Sequence, residues 1–390
     1  MACLVPLSLT LAQCGRAPSA STLAANASAA SGDSFDDRFP KPEFRDRFPN
    51  PNESFQQREL ADVTPRRTVQ TQTVRVASLG PTLPLPKPAE RDELTTLVSM
   101  KSSAFPYFGN NPASEAAFLN VSNGERRGHR SYSGRVYWQD ETYNDSRVLV
   151  HIPENFDVHR PGVIVVFFHG NGATLERDVR DRQLVPQQIT DSGVNAVLIA
   201  PQMAVDAADS SAGKFWQPGG FKRFMSESVD TLARLYGEPG SAKAFNNMPI
   251  VIVGYSGGFL PTAWSLEVGG ISDRVRGVLL LDAIYGELDK FASWIETHRN
   301  GFFVSSYTHY TAGRNHELMS TLRSKGIAVS EDTDAPLRPG RVVFVETGTG
   351  ITHRDYVTRA WTKNPIEEVL VKMAAPSMRV ATGASSSTSR

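Results

Sequence analysis

Six continuous apolar runs recur along the chain after residue 160. They are "GVIVVFFHG" (Gly162–Gly170), "NAVLIAP" (Asn195–Pro201), "PIVIVGYS" (Pro249–Ser256), "GVLLLDAI" (Gly277–Ile284), "GFFVSSYT" (Gly301–Thr308) and "RVVFVETG" (Arg341–Gly348). Such runs are typical of strands buried on both faces of a parallel sheet. Between them lies helical spacing, as in "FKRFMSESVDTLARLYG", where Phe224, Val229, Leu232 and Leu235 fall roughly on one stripe. Strands that alternate with helices predict a doubly wound α/β fold.

Two more strand-like runs precede these six. "SGRVYWQ" and "SRVLVHIP" flank the polar segment Asp140–Asp145, which predicts a turn between two paired strands. We therefore expect an antiparallel opening pair followed by six parallel strands, giving a mostly parallel eight-stranded sheet with helices on both faces.

The third run ends in a serine flanked by glycines. Gly254-Tyr255-Ser256-Gly257-Gly258 fits G-x-S-x-G, a pattern that is weak by itself. Here a strand precedes it and the helix-like "GFLPTAWSLEVGG" follows, which is the context of a nucleophile elbow. We predict that Ser256 is a catalytic nucleophile; the alternative is a plain tight turn.

A glycine-rich loop, His169-Gly170-Asn171-Gly172, follows the first run. Free backbone N–H groups in such a loop stabilise an oxyanion together with the N–H that follows the nucleophile. We predict the Asn171 and Gly257 N–H groups as oxyanion donors, with Gly172 as the alternative to Asn171. His169 is predicted to support the loop, and a role as the catalytic base is the lesser alternative.

Asp282 and His353 complete the candidate set. Asp282 follows the fourth run, where an acid orients an imidazole, although Asp is also a good helix cap. His353 follows the last run and is predicted to be the general base. The alternative acids are Glu317, Glu331, Asp332 and Asp334, and the alternative histidines are His309 and His316.

The chain order Ser256, Asp282, His353 resembles the α/β-hydrolase family over roughly residues 131–373. The resemblance implies the α/β-hydrolase fold and covalent acyl transfer. In that family the acid usually follows the seventh strand, whereas Asp282 follows the sixth when the opening pair is counted. Many members also carry a lid after the sixth strand, but Ala283–Asn300 has room for only one helix, so no large lid domain is expected.

From these features we predict a serine hydrolase, carboxylesterase-like, acting on a small-molecule or polymer-linked ester. An extracytoplasmic amidase or peptidase with the same triad is the first alternative, and a non-catalytic binding module on this fold is the second. Tyr255, Trp216 and Tyr285 are predicted to contact substrate, although Trp216 has helix packing as an equal alternative. "ERDVRDRQ" (Glu176–Gln183) is interpreted as a solvated helix face, with recognition of a charged substrate as the lesser alternative.

Composition excludes several other classes. Among 390 residues, 41 Lys and Arg balance 41 Asp and Glu, so no nucleic-acid partner is expected. No apolar run approaches the ~20 residues of a membrane span. Both cysteines, Cys3 and Cys14, lie at the start, which leaves the folded body without a disulfide or a thiolate site. The scattered histidines lack zinc spacing, and we predict no metal and no cofactor.

The remaining predictions concern domains and location. "MACLVPLSLTLAQC" has a signal-like apolar stretch without a basic start, "LAQC" makes Cys14 a candidate lipid anchor, and "ANA" at Ala25–Ala27 is an alternative cleavage site. We predict an extracytoplasmic protein, secreted or membrane-anchored; the alternative is a disordered start without a targeting role. The predicted units are a signal or lipoprotein segment at 1–28, a disordered Pro- and charge-rich linker at 29–90, an N-terminal extension packing on the domain at 91–130, the catalytic domain at 131–375 and a disordered tail at 376–390.

Overall fold

The computed structural model describes residues 93–131, 133–374 and 378–379, and its centre is an eight-stranded sheet. In chain order the strands are β1 (Leu94–Ser99), β2 (Val121–Asn123), β3 (Arg126–Arg130), β4 (Val136–Trp138), β5 (Arg147–Ile152), β6 (Val163–Phe168), β7 (Ala196–Pro201), β8 (Ile250–Tyr255), β9 (Val275–Leu281), β10 (Phe302–Tyr307) and β11 (Val342–Glu346). The central sheet runs β1-β5-β7-β6-β8-β9-β10-β11, and β2-β3-β4 form a separate three-stranded sheet.

Strand direction divides the central sheet into two parts. β5 pairs antiparallel with both β1 and β7. The six strands from β7 to β11 are mutually parallel, and they coincide with the six apolar runs of the sequence. The mostly parallel eight-stranded sheet expected from the sequence is therefore confirmed.

Helices cover both faces of this sheet. They are α1 (Gln139–Thr142), α2 (Val185–Asp191), α3 (Gly220–Tyr236), α4 (Ser241–Asn247), α5 (Phe259–Glu267), α6 (Leu288–Thr297), α7 (Ala312–Ser324) and α8 (Pro365–Met373). A π-helix spans Leu175–Arg182, and 3-10 turns span Gly213–Trp216, Ser256–Gly258, Ser272–Arg274 and His353–Asp355.

Alternation along each strand supplies the two cores. In β8, Ile250 and Ile252 face one apolar cluster while Val251 and Val253 face the other. The first cluster takes side chains from α3 to α7, and the second takes them from the π-helix, α2 and α8. Because both faces are buried, the strands carry apolar residues on both sides, which is why periodicity alone could not separate their two sides.

The predicted opening strand pair is wrong. "SRVLVHIP" does form β5, but its antiparallel partner is β1, in full register from Leu94 against Ile152 to Ser99 against Arg147. "SGRVYWQ" contributes only β4, which pairs with β3 in the smaller sheet. The chain between them forms α1 instead of a hairpin turn, and the fully buried Tyr143 that follows α1 packs against Phe118.

The stretch after β9 agrees with the sequence expectation. Residues 282–301 are all described and contain a single helix, α6, so no large lid domain is inserted there. In the described part of the chain, none of the helices has the length and apolar character needed to cross a bilayer.

The predicted segments at 1–28 and 29–90 lie outside the described residues. Within the predicted extension at 91–130, β1 is an edge strand of the central sheet. Of the predicted tail at 376–390, Met378 and Arg379 are described; the Met378 carbonyl accepts a hydrogen bond from the Asn195 N–H at 2.7 Å.

Candidate active site

Ser256 lies at a sharp turn between β8 and α5. Its φ is +52°, in the left-handed region that a residue with a side chain rarely adopts. Such a conformation costs about 1–3 kcal/mol and persists only where the surroundings hold it. Here β8 ends at Tyr255, a 3-10 turn covers Ser256–Gly258, and α5 begins at Phe259. The strand–turn–helix context predicted for this motif is the observed one.

Small residues are required on both sides of this turn. A Cβ on Gly254 would lie 2.7 Å from Thr262 Oγ1, and one on Gly258 would lie 2.2 Å from the Phe168 carbonyl oxygen. The Gly258 clash is with backbone, which cannot move aside cheaply. Because Gly254 and Gly258 lack a Cβ, the turn can approach Thr262 of α5 and the backbone at the end of β6 this closely.

A continuous hydrogen-bonded chain joins the three predicted side chains. His353 Nε2 lies 2.7 Å from Ser256 Oγ, and His353 Nδ1 lies 2.6 Å from Asp282 Oδ2. Because a carboxylate accepts and does not donate, Nδ1 carries the ring proton and Nε2 accepts from the serine hydroxyl. All three side chains are buried, with exposures of 1%, 0% and 2% for Ser256, Asp282 and His353.

Asp282 is held in its ionised form by its donors. Burial would raise the pKa of this carboxyl, but the hydrogen bond and charge of His353 together with the Thr311 and Thr308 donors outweigh it and hold the pKa below its usual value. Oδ1 accepts from the Thr311 hydroxyl at 2.6 Å and from the Thr308 N–H at 3.0 Å. Asp282 follows β9, the sixth strand of the central sheet in chain order.

His169 is neutral and belongs to the glycine-rich loop. Its Nδ1 donates to the Gly170 carbonyl at 2.8 Å, while its Nε2 accepts from the Met203 N–H and the Gln202 side-chain amide, both at 2.9 Å. Burial lowers the pKa of His169. With both ring nitrogens engaged in this way, His169 supports the loop.

The two alternative N–H groups in this loop differ in their partners. The Gly172 N–H donates to the Ala207 carbonyl at 2.8 Å. The Asn171 N–H has no acceptor among the described residues. Because the peptide bond between Gly170 and Asn171 is trans, this N–H points in the opposite direction from the Gly170 carbonyl. The Gly257 N–H belongs to the first turn of a helix, where N–H groups lack an intrahelical acceptor. The loop also passes close to the nucleophile, since a Cβ on Gly170 would lie 2.8 Å from Ser256 Cβ.

The alternative acids and histidines contact groups other than the side chains of Ser256, Asp282 and His353. The His309 ring lies against Tyr310 at an interplanar angle of 40°, and His316 contacts the Tyr307 ring edge-on. The carboxylates form ion pairs elsewhere, at 2.8 Å for Glu317 with Arg314, 3.9 Å for Glu331 with Arg323, 3.1 Å for Asp332 with Arg341 and 4.0 Å for Asp334 with Lys372.

Two predicted substrate-contact residues lie beside His353. The Tyr255 ring stacks on the imidazole with centroids 5.2 Å apart, and its hydroxyl donates to the His353 carbonyl at 2.8 Å. The Tyr285 ring meets the imidazole edge-on at 6.4 Å. Both rings are nearly buried, and Tyr255 fastens the loop that carries His353.

Trp216 lies in a different setting. Its ring packs edge-on against Tyr107 and Phe118 from the N-terminal segment, at 5.8 and 5.7 Å. The structure therefore places the Trp216 ring among buried aromatic residues of the N-terminal segment, whereas the alternative drawn from the sequence was packing on the following helix.

Sequence analysis missed several residues that support the site. Thr308 and Thr311 follow β10 and donate to Asp282, and Gln202 follows β7 and donates to His169. A polar residue directly after a buried strand was the available signal in the case of Thr308 and Gln202. In "ERDVRDRQ", Arg180 and Asp181 are exposed as predicted, whereas Asp178 is buried.

No group of three or more His, Cys, Asp or Glu side chains within the described ranges is arranged to hold a metal ion.

Comparison with known proteins gives likenesses only at the level of solved structures. No protein-family model matches the chain, and the search of curated proteins found no match. A feruloyl esterase module from Clostridium thermocellum is 15% identical, covering 70% of this chain and 96% of its own, with a TM-score of 0.39. An S-formylglutathione hydrolase from Agrobacterium tumefaciens is 11% identical, covering 65% and 98%, with a TM-score of 0.35. Esterase 2 of Thermogutta terrifontis is 12% identical, covering 57% and 86%, with a TM-score of 0.35.

Identities and TM-scores this low support no inference about activity, and the fold follows from the topology of the chain itself. Two antiparallel strands lead into six parallel ones, in the order β1-β5-β7-β6-β8-β9-β10-β11, with helices on both faces and the elbow after the fifth strand in chain order. The chain has the α/β-hydrolase fold, and Ser256, Asp282 and His353 meet at the carboxyl edge of its sheet.

Proposed function

We propose that the protein is a serine hydrolase that cleaves a carboxylic ester through Ser256, His353 and Asp282 by way of an acyl-enzyme. The observation that carries this proposal is the unbroken hydrogen-bonded chain from Ser256 Oγ through both nitrogens of His353 to Asp282, with distances of 2.7 and 2.6 Å. A hydroxyl, an imidazole and a carboxylate in this order form an activated nucleophile.

In the first half of the reaction, His353 Nε2 takes the proton of Ser256 as Oγ attacks the ester carbonyl carbon. The tetrahedral intermediate collapses, the carbon–oxygen bond to the alcohol breaks, and the imidazolium returns the proton to the leaving oxygen. Asp282 stabilises the imidazolium and keeps the ring proton on Nδ1. Its depressed pKa supports this role, because the carboxylate stays charged at neutral pH.

In the second half, water replaces the alcohol. His353 removes a proton from the water, the hydroxide attacks the acyl carbon, and the acid product leaves as Ser256 Oγ regains the proton.

The developing oxyanion is assigned to the N–H groups of Asn171 and Gly257. The Gly172 N–H is already engaged by Ala207, which favours Asn171 over that alternative. Each such donor is worth about 3–4 kcal/mol in the transition state. These groups act through the backbone, so the Asn171 side chain is not required for the chemistry.

We assign Tyr285 and Tyr255 to the wall of the acyl or alcohol site, because their rings flank His353. A substrate role for Trp216 remains a prediction, as does the choice between a small-molecule and a polymer-linked ester. The candidate lipid anchor at Cys14 and the extracytoplasmic location also remain predictions.

Activity-based labelling tests the proposal. A fluorophosphonate probe is expected to modify Ser256 in the full chain, and Ser256→Ala is expected to lose labelling and to lower kcat on p-nitrophenyl esters by at least about 10³-fold. Ser293→Ala, at an exposed position of α6, is the matched control and should behave as the parent protein. Comparing the hydrolysis rates of p-nitrophenyl esters with those of p-nitroanilides that carry the same acyl groups distinguishes an esterase from an amidase. Persistent labelling of Ser256→Ala, or a folded parent protein that neither reacts with the probe nor hydrolyses esters, would refute the proposal.

A further inference from the structure

A buried carboxylate lies in the π-helix, outside the chain of hydrogen bonds around Ser256. Asp178 has a side-chain exposure of 8% and accepts from the Thr174 N–H at 2.9 Å. Its Oδ2 also accepts from Arg177 Nε at 2.9 Å, and its Oδ1 accepts from Arg182 Nε at 2.9 Å. One carboxylate therefore holds two guanidinium groups, each by a charge-assisted hydrogen bond.

The π-helix contributes to this arrangement. Its hydrogen bonds from Val179 N–H to the Thr174 carbonyl and from Gln183 N–H to the Asp178 carbonyl span five residues. Residues four and five apart consequently lie on one face, which brings Arg177, Asp178 and Arg182 together. π-Helical turns are frequent at functional sites.

Each guanidinium reaches a different loop of the candidate active site. Arg177 donates to the Gly172 carbonyl at 2.7 Å, next to the proposed oxyanion donor Asn171. Arg182 donates to the Arg354 carbonyl at 3.0 Å, next to His353. The same carboxylate is thus connected to the loop that stabilises the oxyanion and to the loop that carries the base.

The ion pairs between Asp178 and the two arginines persist at neutral pH. Burial would raise the pKa of Asp178, but the Thr174 N–H and the two arginines lower it below its usual value, so the carboxylate remains charged at neutral pH. Arg177 is further fixed by Asp206, whose Oδ1 accepts from it at 2.7 Å.

We propose that Asp178, Arg177 and Arg182 form a positioning group that holds the oxyanion loop and the His353 loop in register for acyl transfer, an inference that rests on the proposed function. None of the three contacts the reacting atoms. Their effect is on geometry: a displacement of about 1 Å between catalytic groups costs on the order of 10²-fold in rate.

Lysine substitutions separate geometry from charge. Arg177→Lys and Arg182→Lys keep the positive charge, but a single ammonium cannot reproduce the fork that bridges Asp178 and a loop carbonyl. Arg180→Lys is the matched control, because Arg180 lies on the same π-helix and pairs with Asp181 instead of Asp178. kcat and KM are measured in the full chain with p-nitrophenyl esters, with active enzyme counted by fluorophosphonate titration.

We expect Arg177→Lys and Arg182→Lys each to lower kcat about tenfold or more while KM changes less than about threefold, with the melting temperature close to that of Arg180→Lys. Asp178→Asn should lower kcat as much as the double variant that carries both Arg177→Lys and Arg182→Lys. Adding these two changes to Asp178→Asn should lower kcat little further, because the Asp178 carboxylate couples the two arginines. If Asp178→Asn fails to fold, the single Lys variants decide alone, because both arginines are partly exposed.

Other outcomes would overturn the inference. A kcat per titrated site within about twofold of Arg180→Lys for both single variants would remove the positioning role. If a lower kcat/KM were explained wholly by a smaller number of titrated active sites, the arginine contacts would serve only the stability of the fold, and the positioning role would be refuted. An inactive, unlabelled parent protein would refute the proposed function itself, and with it the positioning role.

Discussion

The site combines strained backbone with fully satisfied side chains. Ser256 and Asp282 have φ values of +52° and +47°, and both directly follow the ends of neighbouring parallel strands. Both side chains contact the same imidazole, that of His353. For Asp282, hydrogen bonds from Thr308 and Thr311 compensate for the cost of burying a charge, because a buried carboxylate without donors would protonate instead.

Removing the charge of Asp282 tests the residue that the sequence left least determined. Asp282→Asn is expected to lower kcat by about 10³–10⁴-fold with the fold retained, because an amide does not hold the proton on His353 Nδ1 or stabilise the imidazolium. Ester hydrolysis and circular dichroism melting are the measurements. Glu317→Gln is the control and should leave kcat unchanged; if it abolished activity and Asp282→Asn did not, the acid would be misassigned.

At the scale of the elements, the elbow and the glycine-rich loop fit against each other through small residues. A Cβ on Gly257 would lie 2.2 Å from Asn171 Oδ1 and 2.7 Å from Ser210 Oγ. Ser210 Oγ itself donates to Asn171 Oδ1 at 3.1 Å. The side chains of Asn171 and Ser210 therefore both lie against the turn that supplies the second oxyanion donor.

Gly257→Ala is expected to lower kcat about 10²-fold while the protein stays folded, since the obstructing atoms are ends of side chains and their displacement shifts the oxyanion donors. Asn171→Ala alone should cost less than about threefold, because the Asn171 donor is a backbone N–H. The double variant should recover part of the Gly257→Ala loss. Steady-state kinetics of the three variants measure this, and an Asn171→Ala loss equal to that of Gly257→Ala would show that the side chain, not the N–H, matters.

At the scale of the whole molecule, the buried His151 is expected to contribute to the response of stability to acid. Burial lowers the pKa of His151 to about 4, and the ring bridges Thr95 Oγ1 at 2.8 Å and Thr190 Oγ1 at 2.9 Å. A folded-state pKa below the unfolded value of about 6.5 means that the unfolded chain binds the proton first. The stability contributed by the neutral ring is therefore complete above about pH 6.5 and declines as the pH falls toward 4.

We expect the free energy of unfolding to fall between pH 6.5 and 4, with His151 contributing up to about 3 kcal/mol of that decline. His151→Gln should flatten the pH dependence, even if it lowers stability at pH 7. Urea unfolding at a series of pH values measures both. An identical slope in the variant would assign the acid sensitivity to other groups.

The edge strand β1 gives a second prediction at this scale. A chain without residues 1–90 is expected to keep its melting temperature within about 2 °C, as the linker prediction requires. A chain without residues 1–100 loses the six-residue ladder with β5 and should melt at least about 5 °C lower. Thermal melts of the two shortened chains decide this, and equal melting temperatures would mean that β1 adds nothing to the sheet.

The amino-acid sequence by itself determined the parts that depend on neighbouring residues. Six buried strands, α3, α5 and the elbow at Ser256 follow from apolar runs, helical spacing and flanking glycines. Ser256, His353 and Asp282 came forward as candidates because each follows a buried strand, and parallel strands present their carboxyl ends at one edge.

Only the tertiary structure decided the pairings between distant segments. His353 lies 71 residues from Asp282, and several carboxylates satisfied the same sequence criterion. β5 pairs with β1 and not with the expected hairpin partner. The Gly172 N–H donates to the Ala207 carbonyl, and the buried Asp178 accepts hydrogen bonds from two arginines of its own helix. In each case the outcome depends on which donor, acceptor or edge is already occupied, and that is a property of three-dimensional contacts that local periodicity does not contain.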